Sequence, residues 1–176
     1  MRQRNSLVTV AALAMSAMGV IAYAGEGAEE KIDLDKAPPA VQAAVKEAIG
    51  AGKMEMLIKE TEEGKTVFEA EFEVGEVDHS VKVSESGEVI EEEMEVELKA
   101  VPQAVVAAVK SKYAGAEIED IYRVTAGGNT SFELSIEVGK AERHLKVDAS
   151  GKIVEDVAEN EKGDDDGDDD EKNEKE

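Results

Sequence analysis

The chain has no cysteine and no tryptophan among its 176 residues, and only two histidines, three tyrosines and three phenylalanines. Without cysteine there is no disulfide, no thiol nucleophile, no thiolate metal site and no cysteine to carry a lipid. Scarce aromatics remove most of the Trp and Tyr anchors on which tight protein interfaces lean. Basic residues are also few: 20 Lys and Arg face 42 Asp and Glu, a formal charge of −22. Such a field repels phosphate backbones and anionic lipid, which argues against nucleic acid and membrane as partners. It favours solubility, cations or basic partners.

No apolar run reaches the roughly 20 residues that cross a bilayer. The longest begins at Leu7 and ends at Ile21, behind Arg2 and Arg4 and ahead of Ala22-Tyr23-Ala24. That pattern predicts a secretory signal peptide over residues 1–24, hence an exported protein, periplasmic or extracellular. Its loss would take two arginines and no acid, leaving −24. An acidic linker is expected over 25–36. At the other end, residues 159–176 hold eleven acids, three lysines and no apolar residue, the composition of a disordered acidic tail. The tail is no EF-hand, since placing Gly167 at the sixth loop position puts Lys162 at the first and Asn173 at the twelfth, where acids are required. Weak association with divalent cations is all it offers.

What the chain does contain is an echo. "PPAVQAAVK" at 38–46 returns as "PQAVVAAVK" at 102–110, and the same 64-residue offset carries Gly64 onto Gly128, Phe68 onto Phe132, Gly75 onto Gly139 and Gly87 onto Gly151. Without a gap, 21 of the 54 pairs between 38–91 and 102–155 are identical, which predicts a duplicated unit. Each unit opens with a helix. Val41, Val45, Ala48 and Ile49 share one helical face, as do Val105, Ala108, Val109 and Tyr113. Proline is tolerated in a first turn, and Gly50, Gly52 and Gly115 follow the helices.

Strict alternation then marks strands. In "FEAEFEV" (68–74) Phe68, Ala70 and Phe72 point one way and Glu69, Glu71 and Glu73 the other, and "FELSIEV" (132–138) repeats the pattern. Return strands follow at 77–83 and 141–147, then glycine hairpins into short strands at 89–92 and 153–156. Earlier in each unit, Met54 and Leu57, like Ile118 and Ile121, are three apart, so a bulge is expected in each first strand. Met94, Val96 and Leu98 alternate through the junction, which suggests a strand there and no flexible hinge.

The expected fold class is therefore α+β: two tandem repeats, over 37–96 and 97–158, each a helix packed on a roughly four-stranded antiparallel sheet, the sheets side by side or continuous. The order of proline-led helix, glycine break, "T-x-F-E" and "V-x-x-S-G-x-V" resembles the PepSY-like family, described as β-lactamase-inhibitor-like, in two copies over about residues 37–157. The resemblance implies an exported α+β protein. Members with two copies resemble the β-lactamase inhibitory protein, whose open sheet face grips an enzyme.

That resemblance directs attention to the sheet face away from the helices, where alternation places Glu69, Glu71, Glu73, Lys82, Glu133, Glu137, His144 and Lys146, beside Ser80 and Ser135. These are the candidate partner-binding residues, expected as an exposed, solvated ladder of Glu and Lys. Catalysis is not expected. His79 matches Arg143 and His144 matches Ser80, so strand alternation sends the two histidines to opposite faces, and neither a metal pair nor an acid–base pair forms. No cofactor or metal site is expected, and "GGNTS" at 127–131 is a turn between strands rather than a phosphate loop. The functional expectation is a non-catalytic interaction module, an inhibitor or regulator of an extracytoplasmic enzyme, whose partner is an unidentified protein. The alternative is an acidic, cation-buffering secreted protein.

Overall fold

The computed structural model describes residues 29–62 and 64–158. The signal peptide expected over 1–24 and the tail expected over 159–176 lie outside the described residues. Nine strands and two helices of 11 and 10 residues follow in the order β1 (Glu30–Lys31), α1 (Pro39–Ile49), β2 (Lys53–Glu62), β3 (Lys65–Val74), β4 (Val77–Ser84), β5 (Val89–Glu95), α2 (Gln103–Lys112), β6 (Glu117–Ala126), β7 (Asn129–Val138), β8 (Ala141–Asp148) and β9 (Ile153–Ala158). No helix among the described residues is long and apolar enough to cross a membrane.

All nine strands form one antiparallel sheet in sequence order, β1 to β9. This corrects the expected fold class of two helix-on-sheet repeats: the architecture is a single, sheet-dominated layer with two short helices attached. The physical reason lies in β5. Its residues Glu91–Glu95 pair with Ala126–Tyr122 of β6 while the other edge pairs with β4, and the Val96 amide donates to the Ile121 carbonyl at 2.8 Å. The junction thus has hydrogen bonds on both sides, and no sheet edge separates the halves. Glu30 and Lys31, inside the segment read as a linker, pair with Lys59 and Ile58 as β1.

Both helices lie on the same side. Val41 and Val45 of α1 are fully buried against Leu57, Phe68, Ala70, Phe72, Val81 and Val83. Val105 and Val109 of α2 are buried against Ile121, Phe132, Leu134, Ile136, Leu145 and Val147. The register shifts fall between Met54 and Met56 in β2 and between Ile118 and Asp120 in β6, where the spacing of apolar residues calls for a bulge. Hairpin glycines brace the helices: Gly87 (φ +82°) and Gly151 (φ +91°) sit so close to the helix starts that a Cβ would meet the carbonyl oxygens of Ala40 at 2.7 Å and Ala104 at 2.6 Å. Only glycine meets both the positive φ and the close approach without strain.

Candidate functional site

The opposite sheet face carries no helix among the described residues, and register fixes what it displays. One row across the strands runs Ile58, Glu69, Lys82, Glu91, Ala126. The next runs Glu71, Ser80, Glu93, Val124, Ser131. A third runs Glu95, Tyr122, Glu133, Lys146, Glu155.

These rows do not form the solvated ladder expected. Glu69 and Lys82 are each only 5% exposed, and Glu60 8%. Lys82 of β4 reaches over β3 to both acids of β2: its Nζ donates to Glu62 Oε1 at 2.6 Å and lies 3.1 Å from Glu60 Oε1 and 3.7 Å from Glu69 Oε2. Both of the last two approaches are ion pairs, and Glu69 Oε2, beyond hydrogen-bond distance of the ammonium, is buried without a donor.

In the other half Lys146 of β8 donates to Glu133 Oε1 at 2.8 Å and lies 3.8 Å from Glu91 Oε2 on β5. Three strand spacings separate β5 from β8, about 14 Å in a flat sheet. Upright side chains on a flat sheet would not meet over that span. The sheet curls about this face, drawing its rows together and making it concave.

The electrostatics follow from that shape. Around Lys82 and Lys146 stand seven carboxylates: Glu60, Glu62, Glu69, Glu91, Glu93, Glu133 and Glu155. Burial pushes Glu69 up to about 7, Lys82 opposing and Glu60, Glu71 and Glu91 adding to the rise. Burial, then Glu133, Glu91 and Glu69, push Glu93 up to about 8. Glu60, Glu71 and Glu155 are raised as well, burial again the largest cause. Lys82 moves the other way from what burial alone would do, because Glu69, Glu62 and Glu60 hold its proton.

Three comparisons bear on this arrangement. No family model and no curated protein matches the chain, but solved structures do. A protein from Bacteroides eggerthii described as periplasmic superimposes with a TM-score of 0.58 at 16% identity, over 69% of this chain and 88% of that one. A DUF2874 family protein from Bacteroides uniformis gives 0.57 at 18%, over 69% and 89%. A BLIP-like protein from Bacteroides fragilis gives 0.52 at 18%, over 69% and 86%. The fold is BLIP-like.

Within this BLIP-like sheet the candidate residues from the sequence separate into groups. Glu69 and Lys82 meet, as do Glu133 and Lys146. Glu71 flanks the first pair and is half-buried. His144 is half-buried with its Nδ1 3.3 Å from Ser135 Oγ, while His79 stacks on Phe72 at the helix face, ring centroids 5.4 Å apart. Glu73 and Glu137 lie at the hairpin ends, Glu137 exposed, away from the cluster.

Sequence reasoning missed Glu60, Glu62, Glu91, Glu93 and Glu155. The bulge in β2 hid the side on which Glu60 and Glu62 project, and the second row of β5 lies in the junction. One signal was there: Glu69, Lys82 and Glu91 recur 64 residues on as Glu133, Lys146 and Glu155. Among the described residues no group of three or more His, Asp or Glu has the arrangement to hold a metal ion.

Proposed function

We propose that this is an exported, periplasmic, non-catalytic interaction module that docks a protein partner on its concave sheet face, as an inhibitor or regulator of an extracytoplasmic enzyme. The observation that carries the proposal is the burial of carboxylates on a face no helix covers, where seven stand against two lysines. Burying charge without full pairing costs stability, and well-packed apolar residues would serve a purely structural role better. The periplasmic and BLIP-like descriptions of the structural neighbours support export and docking. A PepSY-like origin by duplication accords with the 64-residue offset.

The test is cross-linking of the tagged full chain in its native envelope fraction at moderate salt. One stoichiometric partner is expected, lost in Glu133→Lys on the concave face and kept in Glu47→Lys on the exposed side of α1, which makes the same change of charge. Recovery of only salt-sensitive basic proteins, equally reduced by both variants, would overturn the reading.

A further inference from the structure

We propose that the concave face is a socket for one cationic side chain, lysine or arginine, projecting from a basic segment of the partner, seated between β3, β5 and β7 against Glu69, Glu91, Glu93 and Glu133. The inference rests on the docking reading above and names the chemistry of its central contact.

Two independent observations meet at this point. The first is an imbalance of position. The two resident ammonium groups are engaged at the flanks, Lys82 with Glu62, Glu60 and Glu69 and Lys146 with Glu133 and Glu91. Glu93 lies on β5, between the strands that carry them, with Glu91 of its own strand, Glu69 of β3 and Glu133 of β7 as like-charged neighbours and Lys146 of β8 as its cationic influence. The second is buried acceptor capacity left over. Glu69 Oε2 has no hydrogen-bond donor although its residue is more than nine-tenths buried, and Glu155 Oε1 of β9 is likewise without one. A buried carboxylate oxygen without a donor is costly, and an incoming N–H group removes that cost. Glu93 itself is half-buried rather than sealed, so its carboxylate is the mouth of the socket.

The surroundings suit a long alkyl stem with a charged tip. Val124 lies across from Glu93, and the half-buried Tyr122 shares the face and the neighbourhood of Glu93 and Glu95, giving a planar guanidinium a ring to stack on. Glu62 of β2, Asp120 of β6 and Ser80 of β4 complete the polar rim.

Without a partner, protons do the work of the cation. Burial and like-charged neighbours raise Glu93 to about 8 and Glu69 to about 7, so near neutral pH the empty socket carries protons. A docked ammonium or guanidinium favours the ionised carboxylates and expels those protons, so binding and proton release are linked.

The experiment is isothermal titration of the full chain with a capped Arg-Gly-Arg-Gly-Arg peptide near pH 7.5, in two buffers of different ionisation enthalpy at equal, moderate salt. Release of about one proton per peptide is expected, and Glu93→Gln weakens binding about tenfold and removes most of that release. Glu69→Gln is the second variant, with circular dichroism reporting that both remain folded. Glu47→Gln on α1 changes nothing. Spermidine and magnesium at matched ionic strength distinguish a free cation from a side chain: equal displacement by both means diffuse ionic attraction and overturns the socket. So does proton release that survives in Glu93→Gln, which assigns the peptide to acids elsewhere in the chain. Absence of proton release, with the cross-linked partner still lost in Glu133→Lys, overturns the socket and leaves the docking reading intact.

Discussion

The two halves of the sheet keep the same lysine and surround it differently. Lys82 is enclosed by three carboxylates, two of them reaching it from β2 across β3. At the corresponding places around Lys146 stand Val124 and Ala126 instead of Glu60 and Glu62, and a carboxylate is supplied by Glu91 of the other half. On the helix face the contrast is reversed. Asp156 gathers Tyr113, Arg143 and Lys112 into a clamp that ties the end of α2 to β8 and β9, with Arg143 Nε at 2.9 Å and the Tyr113 hydroxyl donating at 2.5 Å. Ile49, His79 and Ala48 occupy the matching positions in the first half, where His79 rests on Phe72. One half therefore concentrates its charge on the concave face and the other on the helix face.

Removing the central lysine should break this comparison most strongly. Lys82→Met leaves Glu60 and Glu69 buried without a counter-ion and should cost about 3–5 kcal/mol in urea unfolding. Lys146→Met, whose partners are more exposed, should cost about 1 kcal/mol or less. Equal losses would mean that burial does not distinguish the two sites. The hairpin glycines predict the opposite, a symmetric outcome. Gly87→Ala and Gly151→Ala both force a left-handed backbone and crowd a helix carbonyl, and each should cost about 1–3 kcal/mol by thermal melting.

Asp156→Asn should lower the urea midpoint by less than the glycine variants and act on the second half alone. Burial by itself would raise Asp156, yet hydrogen bonds from Lys112, Tyr113 and Arg143 hold it down at about 2. The stability it confers is present above the ordinary aspartate range and is lost as pH falls through about 2, a loss that Asn abolishes.

The gentlest probe is pH near neutrality. Glu69 is raised from 4.5 to about 7, so the folded state holds a proton that the unfolded chain has released. Its contribution is complete below about 4.5 and fades as pH rises through about 7. Unfolding midpoints measured at about pH 6 and pH 7 should therefore fall with pH, and Glu69→Gln should reduce that slope while Glu93, raised to about 8, sustains the remainder. A slope unchanged in the variant would show that Glu93 or the general self-repulsion of an acidic chain, not this carboxyl, sets it.

Elements and their sides were legible in the sequence. Alternation in "FEAEFEV" assigned Phe68 and Phe72 to the helices and Glu69 to the other face, and the structure agrees. Depth was not legible. A period of two says which side a residue takes, not how far the sheet bends toward it, and the burial of Glu69 and Lys82 comes from that bend. The fold class went astray at the junction for a related reason. Met94 and Val96 announced a strand, but a strand's pattern does not say that both its edges are paired. Pairing on both sides turned two expected units into one sheet. The candidate site suffered at the same places: Glu60 was hidden by the bulge, and Glu93 by the junction.

The doubly paired β5 has a consequence for how the chain comes into being. A ribosome or a translocation channel delivers the first half before α2 and β6 have emerged. Until then β5 is a bare rim of unpaired amides and carbonyls, open to any extended segment that arrives first. The residues from Leu98 to Lys112 must pass, and fold aside as a helix, before the intended neighbour can close that rim. Order of arrival, as much as affinity, thus decides which strand completes the sheet.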